Sequence, residues 1–222
     1  MFSGVYKSVL ISFVLLFSST VFATPLTVQS YDMQNGDTGS YNYWDDSYAG
    51  SGDNTVDRSY LSGGTGDLTD GIIATENWNL VESPVGPHGP YVGWYTFRGI
   101  PSIDFHFGQN VVINSITLYV DDSNGYGGVF VPSGVNIGST SYSFTDPVGS
   151  EPTALTISGL DLMVSDLSMD IFGGTANRNN TWVFISEITF DGRILSVAEP
   201  STILLLSLGL LGVFRVRKQL NG

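Results

Sequence analysis

The sequence predicts an all-β sandwich or barrel, and three observations predict it. Helical periodicity is nearly absent between Thr24 and Ser196. Short apolar alternations bounded by Gly, Pro, Asn, Asp and Ser recur through that stretch, the signature of half-buried strands separated by tight turns. No internal repeat at a solenoid or propeller period is present, so the strands must close on one another as a single unit. The span from Thr24 to Ser196 suits one domain and is long enough to bury a true core.

In chain order, Met1 to Lys7 is a short, singly basic start followed by the apolar core Val9 to Phe17. Val21-Phe22-Ala23 offers small residues for cleavage before Thr24. Residues 1–23 are therefore expected to be a secretory signal peptide, helical in its apolar part. The body runs over 24–196. Within it, residues 34–66 are rich in Gly, Asp, Asn, Ser and Tyr and show little periodicity. A loop this long is expected to be functional or disordered. Its aromatic residues (Tyr41, Tyr43, Trp44, Tyr48, Tyr60) predict a loop ordered against the sandwich.

Strands are clearest beyond residue 100. In Ser102 to Phe107 the residues Ile103, Phe105 and Phe107 share one face. Val111 to Val120 is apolar on both faces, as a central strand would be. Val135 to Ile137, Tyr142 to Thr145, Ala154 to Ile157, Leu167 to Phe172 and Trp182 to Phe190 read as further strands. Residues 197–222 differ again: a short Ala198-Glu199-Pro200 hinge, the apolar run Ile203 to Phe214, then Arg215, Arg217 and Lys218. That run is shorter than the roughly 17–25 residues of a comfortable spanning helix, and the basic residues after it would hold the C-terminus on the cytoplasmic side. A simple C-terminal anchor helix is the alternative.

Charge narrows the function. The chain carries 8 Lys and Arg against 21 Asp and Glu, a formal net charge of −13. Four of the eight cations (Lys7, Arg215, Arg217, Lys218) lie in the ends, leaving Arg58, Arg98, Arg178 and Arg193 in the body. Such a body repels phosphates, which excludes nucleic-acid binding and attraction to anionic lipid surfaces. There is no cysteine, so disulfides, thiol nucleophiles and zinc–thiolate sites are impossible although the expected compartment is oxidising.

The C-terminal tail resembles the PEP-CTERM sorting signal recognised by exosortase in Gram-negative bacteria. Glu199, Pro200, the apolar run and the basic cluster fit it, with Ala198 standing where the family usually has its first proline. The resemblance implies cutting near Glu199-Pro200 after a transient stay in the inner membrane, then a place on the cell surface or in the extracellular matrix.

Three segments of the body together resemble the galactose-binding-like (discoidin-like) jelly-roll sandwich. They are Asp67-Leu68-Thr69-Asp70-Gly71 with Thr75-Glu76-Asn77-Trp78, then Pro101 to Val120, and finally Trp182 to Gly192. The stretch Tyr31 to Gly66 has no counterpart and looks like an addition. The resemblance implies a jelly-roll β-sandwich and a structural calcium shared by Asp70 and Glu187, with carbonyls from Ile72 and Ser186. Independently, Glu187 lies in a strand that is apolar on both faces. Its carboxylate must there be paired, hydrogen-bonded, protonated or metal-bound. A Glu capping loop amides without metal is the alternative.

Two other calcium-like patterns, Asp121 to Gly128 and Gly63 to Asp67, lack the spacing of their models and read as turns. Catalytic sets are likewise missing: His88 and His106 are the only histidines, and no nucleophile elbow, zinc helix or phosphate loop occurs. Adjacent acids such as Asp45/Asp46 and Asp121/Asp122 read as turn residues, and no enzyme is expected. The expected function is binding of glycan or exopolysaccharide through loop aromatics. Trp44, Tyr48, Trp78, Trp94 and Tyr126 lead the candidates, with Tyr43 and Tyr91 beside them. Asp45, Asp46, Asn77 and Asn124 could hydrogen-bond hydroxyls, and Trp182 is assigned to the core. The alternative is a matrix or biofilm protein that binds no defined glycan and cross-links through calcium and acidic loops.

Overall fold

The computed structural model describes residues 24–83, 89–174 and 181–195. The expected signal peptide, His88, Arg178 and the sorting tail with Ala198, Glu199, Pro200, Arg215, Arg217 and Lys218 lie outside the described residues. Among the described residues no helix is long and apolar enough to cross a membrane.

Among the described residues nine strands carry the fold: β1 (Thr24–Leu26), β2 (Ser30–Gln34), β3 (Tyr60–Gly64), β4 (Val92–Tyr95), β5 (Ser102–Val120), β6 (Gly134–Ile137), β7 (Thr140–Ser143), β8 (Thr153–Phe172) and β9 (Trp182–Ile194). A single turn of helix, α1 (Trp78–Val81), precedes β4. The hydrogen-bonded order is β1-β9-β5-β8-β6-β7, with β2 joining β3 to β5 and β4 joining β9. The predicted all-β sandwich is the observed class, with one difference in its strands. Segments expected as separate strands, 102–107 with 111–120 and 154–157 with 167–172, are each continuous.

β5 and β8 form one long antiparallel ladder from Ser102↔Asp170 to Val120↔Thr153, interrupted by register shifts after His106 and after Ile113. The chain bends where Gly108 takes φ +68, a conformation that side chains other than glycine's rarely adopt. A Cβ there would also sit 2.0 Å from the Gln29 amide oxygen. Across the bends both halves of β5 feed one core. Ile103, Phe105 and Phe107 join Ile116, Leu118 and Val120 in the same buried cluster, with Val183, Ile185, Ile188 and Phe190 of β9. The long strands therefore belong to both layers. Burying each such side chain stabilises by about 1.5–3 kcal/mol against exposure.

The register of β9 on β5 slips between Tyr119↔Glu187 and Val120↔Ile185, so Ser186 is bulged out. Val183 and Ile185 face the main core before the bulge; Ile188 and Phe190 face it afterwards. A regular strand would have put Glu187 on the face of Val183 and Ile185. The bulge instead turns it toward the loop that follows Leu68, the kind of re-aiming for which bulges are used.

The long loop region 34–66, expected to be ordered against the sandwich, is ordered, and its end forms β3. Asn35 organises it: Oδ1 accepts the amides of Gly36 (2.9 Å) and Asp45 (2.8 Å), while Nδ2 donates to Asn54 O at 3.0 Å and Val56 O at 3.3 Å. Asp37, with a fully buried side chain, accepts from Arg58 Nη2 at 2.6 Å, Arg98 Nη1 at 2.8 Å and the Tyr95 amide at 2.8 Å. These bonds tie the long loop region to the end of β4.

Candidate functional site

A second, smaller cluster lies outside the main core, on the other side of β9. Phe184 points into it, opposite in phase to Val183 and Ile185, together with Tyr43, Ala74, Trp78, Tyr91 and Val129. Tyr41, Val81 and Trp182 pack on it half-buried. Its rings come from the long loop region, from α1, from β4 and from β9, and they touch in series. Tyr126 meets Trp78 at 6.0 Å, Trp78 meets Tyr43 at 6.0 Å and Tyr43 meets Trp182 at 5.2 Å. Trp182 then meets Tyr95 at 5.3 Å, and Tyr95 meets Phe97 at 6.2 Å. The two ends of the series are open to solvent, Tyr126 at 65% and Phe97 at 70% exposure.

Glycines let backbone lie flat on these rings. A Cβ on Gly127, whose φ is +65, would stand 2.5 Å from Trp78 Cζ2, and one on Gly39 would stand 2.8 Å from Trp182 Cζ2. The Asp121–Gly128 turn thus serves as a cover for indoles. Trp78's ring N–H is buried and has no hydrogen-bond partner among the described residues. Burial pushes the Tyr43 hydroxyl up to about 12, so it is neutral throughout the physiological range. Glu82 rises to about 7 because it is buried, although the amides of Gly89 and Tyr91 bond its carboxylate.

Of the aromatic candidates, Tyr126 and Trp78 are brought together, and Tyr43 and Tyr91 lie beneath them. Trp94 is corrected to the main core. It is 0% exposed on a strand too short to show alternation, and its indole donates to Gln34 O at 3.0 Å. Tyr48 is likewise corrected: it is buried against Tyr31, and its hydroxyl donates to Tyr31 O and accepts the Gly64 amide. Trp44 is half-buried and donates to Asp57 Oδ1 at 2.9 Å. Asp45 is fully buried and accepts from the Tyr31 hydroxyl and the Asp67 amide. Asp46 takes part through its amide, which donates to Asp67 at 3.1 Å. Trp182, assigned to the core, is half-buried in the ring series. Sequence reasoning missed Tyr41, Tyr95 and Phe97; the last two stand in a Tyr-Thr-Phe-Arg-Gly run whose strand-ending glycine was the available signal.

Beside the rings, the loop after Leu68 is fastened to the β9 bulge. Glu187 Oε2 accepts the Gly71 amide at 3.0 Å, Ser186 Oγ accepts the Ala74 amide at 3.2 Å, and Leu68 O accepts the Ile188 amide at 2.8 Å. Asp70 Oδ1 closes a turn by accepting the Ile72 amide at 2.8 Å. Burial is the main cause that lifts Glu187 to about 7, and the nearby Asp70 carboxylate adds to it. Asp70 and Glu187 are thus adjacent, and Thr69 Oγ1 beside them is buried without a partner among the described residues. In donor type this set fits a hard cation. Among the described residues, however, no three carboxylates or imidazoles converge.

Catalytic geometry is not assembled around His106. Its ring lies between Asp166 (2.6 Å) and Asp32 (3.4 Å), and Ser165 spends its hydroxyl on Asp166. A hydroxyl bonded to the carboxylate, not to the imidazole, is not activated as a nucleophile.

Comparison with known proteins places the chain. The family model for the DS-like domain of discoidin domain-containing receptor 1/2 matches residues 27–142, so the stretch Tyr31 to Gly66, read from the sequence as an addition without counterpart, is corrected to a part of the matched domain. A PEP-CTERM protein-sorting motif matches residues 196–218. No curated protein matches the chain. Similar solved structures include truncated AlyQ with CBM32 and alginate lyase domains, at 11% identity over 79% of this chain, TM-score 0.43; the chain spans only 34% of that protein. The CBM32 of AlyQ in complex with 4,5-unsaturated mannuronic acid is 11% identical, with TM-score 0.41, over 75% of this chain and 97% of that one. The C-terminal domain of a chitobiase from Bacteroides fragilis is 14% identical over 78% of this chain and 100% of that one, TM-score 0.42. The chain belongs to the family of discoidin-receptor DS-like domains and carries a PEP-CTERM sorting motif behind that domain.

Proposed function

We propose that the protein is an exported, non-enzymatic glycan-binding protein whose sugar platform is the open part of the ring series, Tyr126 over Trp78 at one end and Trp182, Tyr95 and Phe97 at the other. The observation that carries this reading is the series itself. Aromatic side chains cost little conformational entropy on binding and offer apolar faces with polar edges, and two of these are held outward by the loops around them. The sorting motif supports export and processing by exosortase near Glu199-Pro200, with an extracellular polysaccharide as the glycan the mature protein meets. Calcium at Asp70 and Glu187, with Ile72 and Ser186 beside them, belongs to the proposal as a stabiliser of the loop that delivers Trp78.

The test is binding of the purified chain to a glycan panel and to exopolysaccharide from the producing organism. Saturable binding that falls at least about tenfold, ~1.4 kcal/mol, in Tyr126→Ala or Trp182→Ala supports the platform. Binding that ignores both substitutions refutes it. A matrix role through calcium and acidic loops is the second reading, favoured by the net charge of −13. It predicts calcium-dependent self-association and no glycan affinity.

A further inference from the structure

Buried acceptor oxygens in native folds are satisfied by donors or by cations, and few are left without either. Two unsatisfied ones lie at the Tyr126 end of the molecule, under the turn 146–150 that joins β7 to β8. Asp122, two residues beyond β5, is 1% exposed, and its Oδ1 has no hydrogen-bond partner among the described residues. Asn77, just before α1, has a buried Oδ1 in the same condition. Its Nδ2 donates to Ser150 O at 2.6 Å. From the other side Asn124 Nδ2 donates to Gly149 O at 2.8 Å. Two side chains thus hold the turn down over Asp122, and Asp146 on that turn acts on Asp122 as a like charge.

The neighbouring Asp121 shows what a satisfied carboxylate looks like here. Its Oδ2 accepts the Trp78 amide at 2.6 Å and its Oδ1 accepts the Ser123 hydroxyl at 2.5 Å. Asp122 Oδ1 has no such partner, and the described arginines are engaged or distant. Arg58 and Arg98 pair with Asp37 and Asp57, and Arg193 lies near the opposite end of β9. What remains beside the turn is a set of acceptors: the unpartnered Asp122 and Asn77 oxygens and the Asp146 carboxylate that acts on Asp122. Acceptor-only enclosures suit a hard cation, which draws its ligands from carboxylates, amide and backbone carbonyls, and water.

We infer that the turn 146–150 closes over a divalent-cation site of calcium's chemistry, with Asp122 Oδ1 and Asn77 Oδ1 as protein ligands and Asp146 and water completing the shell. It is separate from Asp70 and Glu187, which belong to a different loop on β9. With so few charged ligands the affinity falls in the range of extracellular calcium modules, a Kd on the order of 0.1–1 mM. Because Asp122 and Asn77 flank Tyr126 and Trp78 in sequence, occupancy fixes the loops that carry the rings.

Terbium luminescence tests this with the full-length chain in mild detergent, since Trp78 and Tyr126 are placed to sensitise a lanthanide bound beside them. The expected result is saturable emission competed by calcium that persists in Glu187→Gln and weakens at least tenfold when Asp122→Asn is added to it. A urea midpoint measured in chelator guards against misfolding. Asp122→Asn should match or exceed the unsubstituted chain there, because it removes a buried charge that only the Asn124 amide meets. Emission that is absent, insensitive to calcium or indifferent to Asp122→Asn overturns the site. So does a lower midpoint for Asp122→Asn in chelator, which would mean that protein donors already satisfy the carboxylate.

Discussion

Replacing Asp37 with Asn tests how the long loop region is held to the sandwich. The Asp37 side chain is fully buried and receives Arg58 through both Nε (2.9 Å) and Nη2 (2.6 Å). Arg58 is itself only 12% exposed, whereas Arg98 is 45% exposed. The exposed partner is worth about 0–1 kcal/mol, since solvent screens it. Breaking the buried pair by neutralising one member leaves the Arg58 charge uncompensated, at about 3–5 kcal/mol. The Tyr95 amide keeps an acceptor in Asn, so its bond adds little. The expected loss is therefore about 3–5 kcal/mol, a large part of the stability of a domain this size. Urea denaturation followed by tryptophan fluorescence reads it as a lower midpoint at unchanged slope. Arg58→Met combined with Asp37→Asn should recover much of the loss, since the stranded charge is then gone. A loss below about 1 kcal/mol in the single variant would refute the claim that a buried ion pair fastens the long loop region.

Four further outcomes are expected. Tyr126→Ala should weaken glycan binding without lowering the melting temperature, because its ring is mostly exposed; Trp94→Ala should cost about 3–5 kcal/mol as a core truncation, and both variants are read by thermal unfolding beside the glycan assay. Gly127→Ala should impair binding too, since its Cβ would enter the Trp78 ring and its φ of +65 disfavours a side chain. Stability should fall as pH rises toward neutrality. Burial lifts Asp45 to about 7 and Asp67 to about 6, so the folded chain keeps protons that the unfolded chain releases from pH 4 upward, and their contribution is lost as pH passes through the folded values. Urea midpoints at pH 5 and pH 8 check the sign, and Asp45→Asn should flatten the difference.

Much of the sandwich was legible because its strands obey simple rules. Ile103, Phe105 and Phe107 alternate as a half-buried strand does, and they line the core as expected. β4 was not legible: Val92-Gly93-Trp94 is buried on both sides, so no alternation betrays it, and Trp94 passed for a loop ring. The bulge at Ser186 was invisible for another reason. Nothing local forbids a regular strand there; the slip arises from pairing with Tyr119, far away in sequence. Tyr126 and Trp78 could each be named from loop composition. Their stacking depends on Gly127 lying flat on the indole, a tertiary fact.

The pairing of β1 with β9 has a consequence for presentation. Thr24 stands opposite Gly192, so the chain enters and leaves the domain side by side. The rings gather at the other end of β9, where Trp182 pairs with Tyr95. Thirteen residues of strand separate these ends, about 40 Å at the usual rise per residue. A domain tethered through either terminus, or through both, would stand on one pole and hold its aromatic pole outward, the orientation that the proposed platform would need to meet a glycan beyond the membrane.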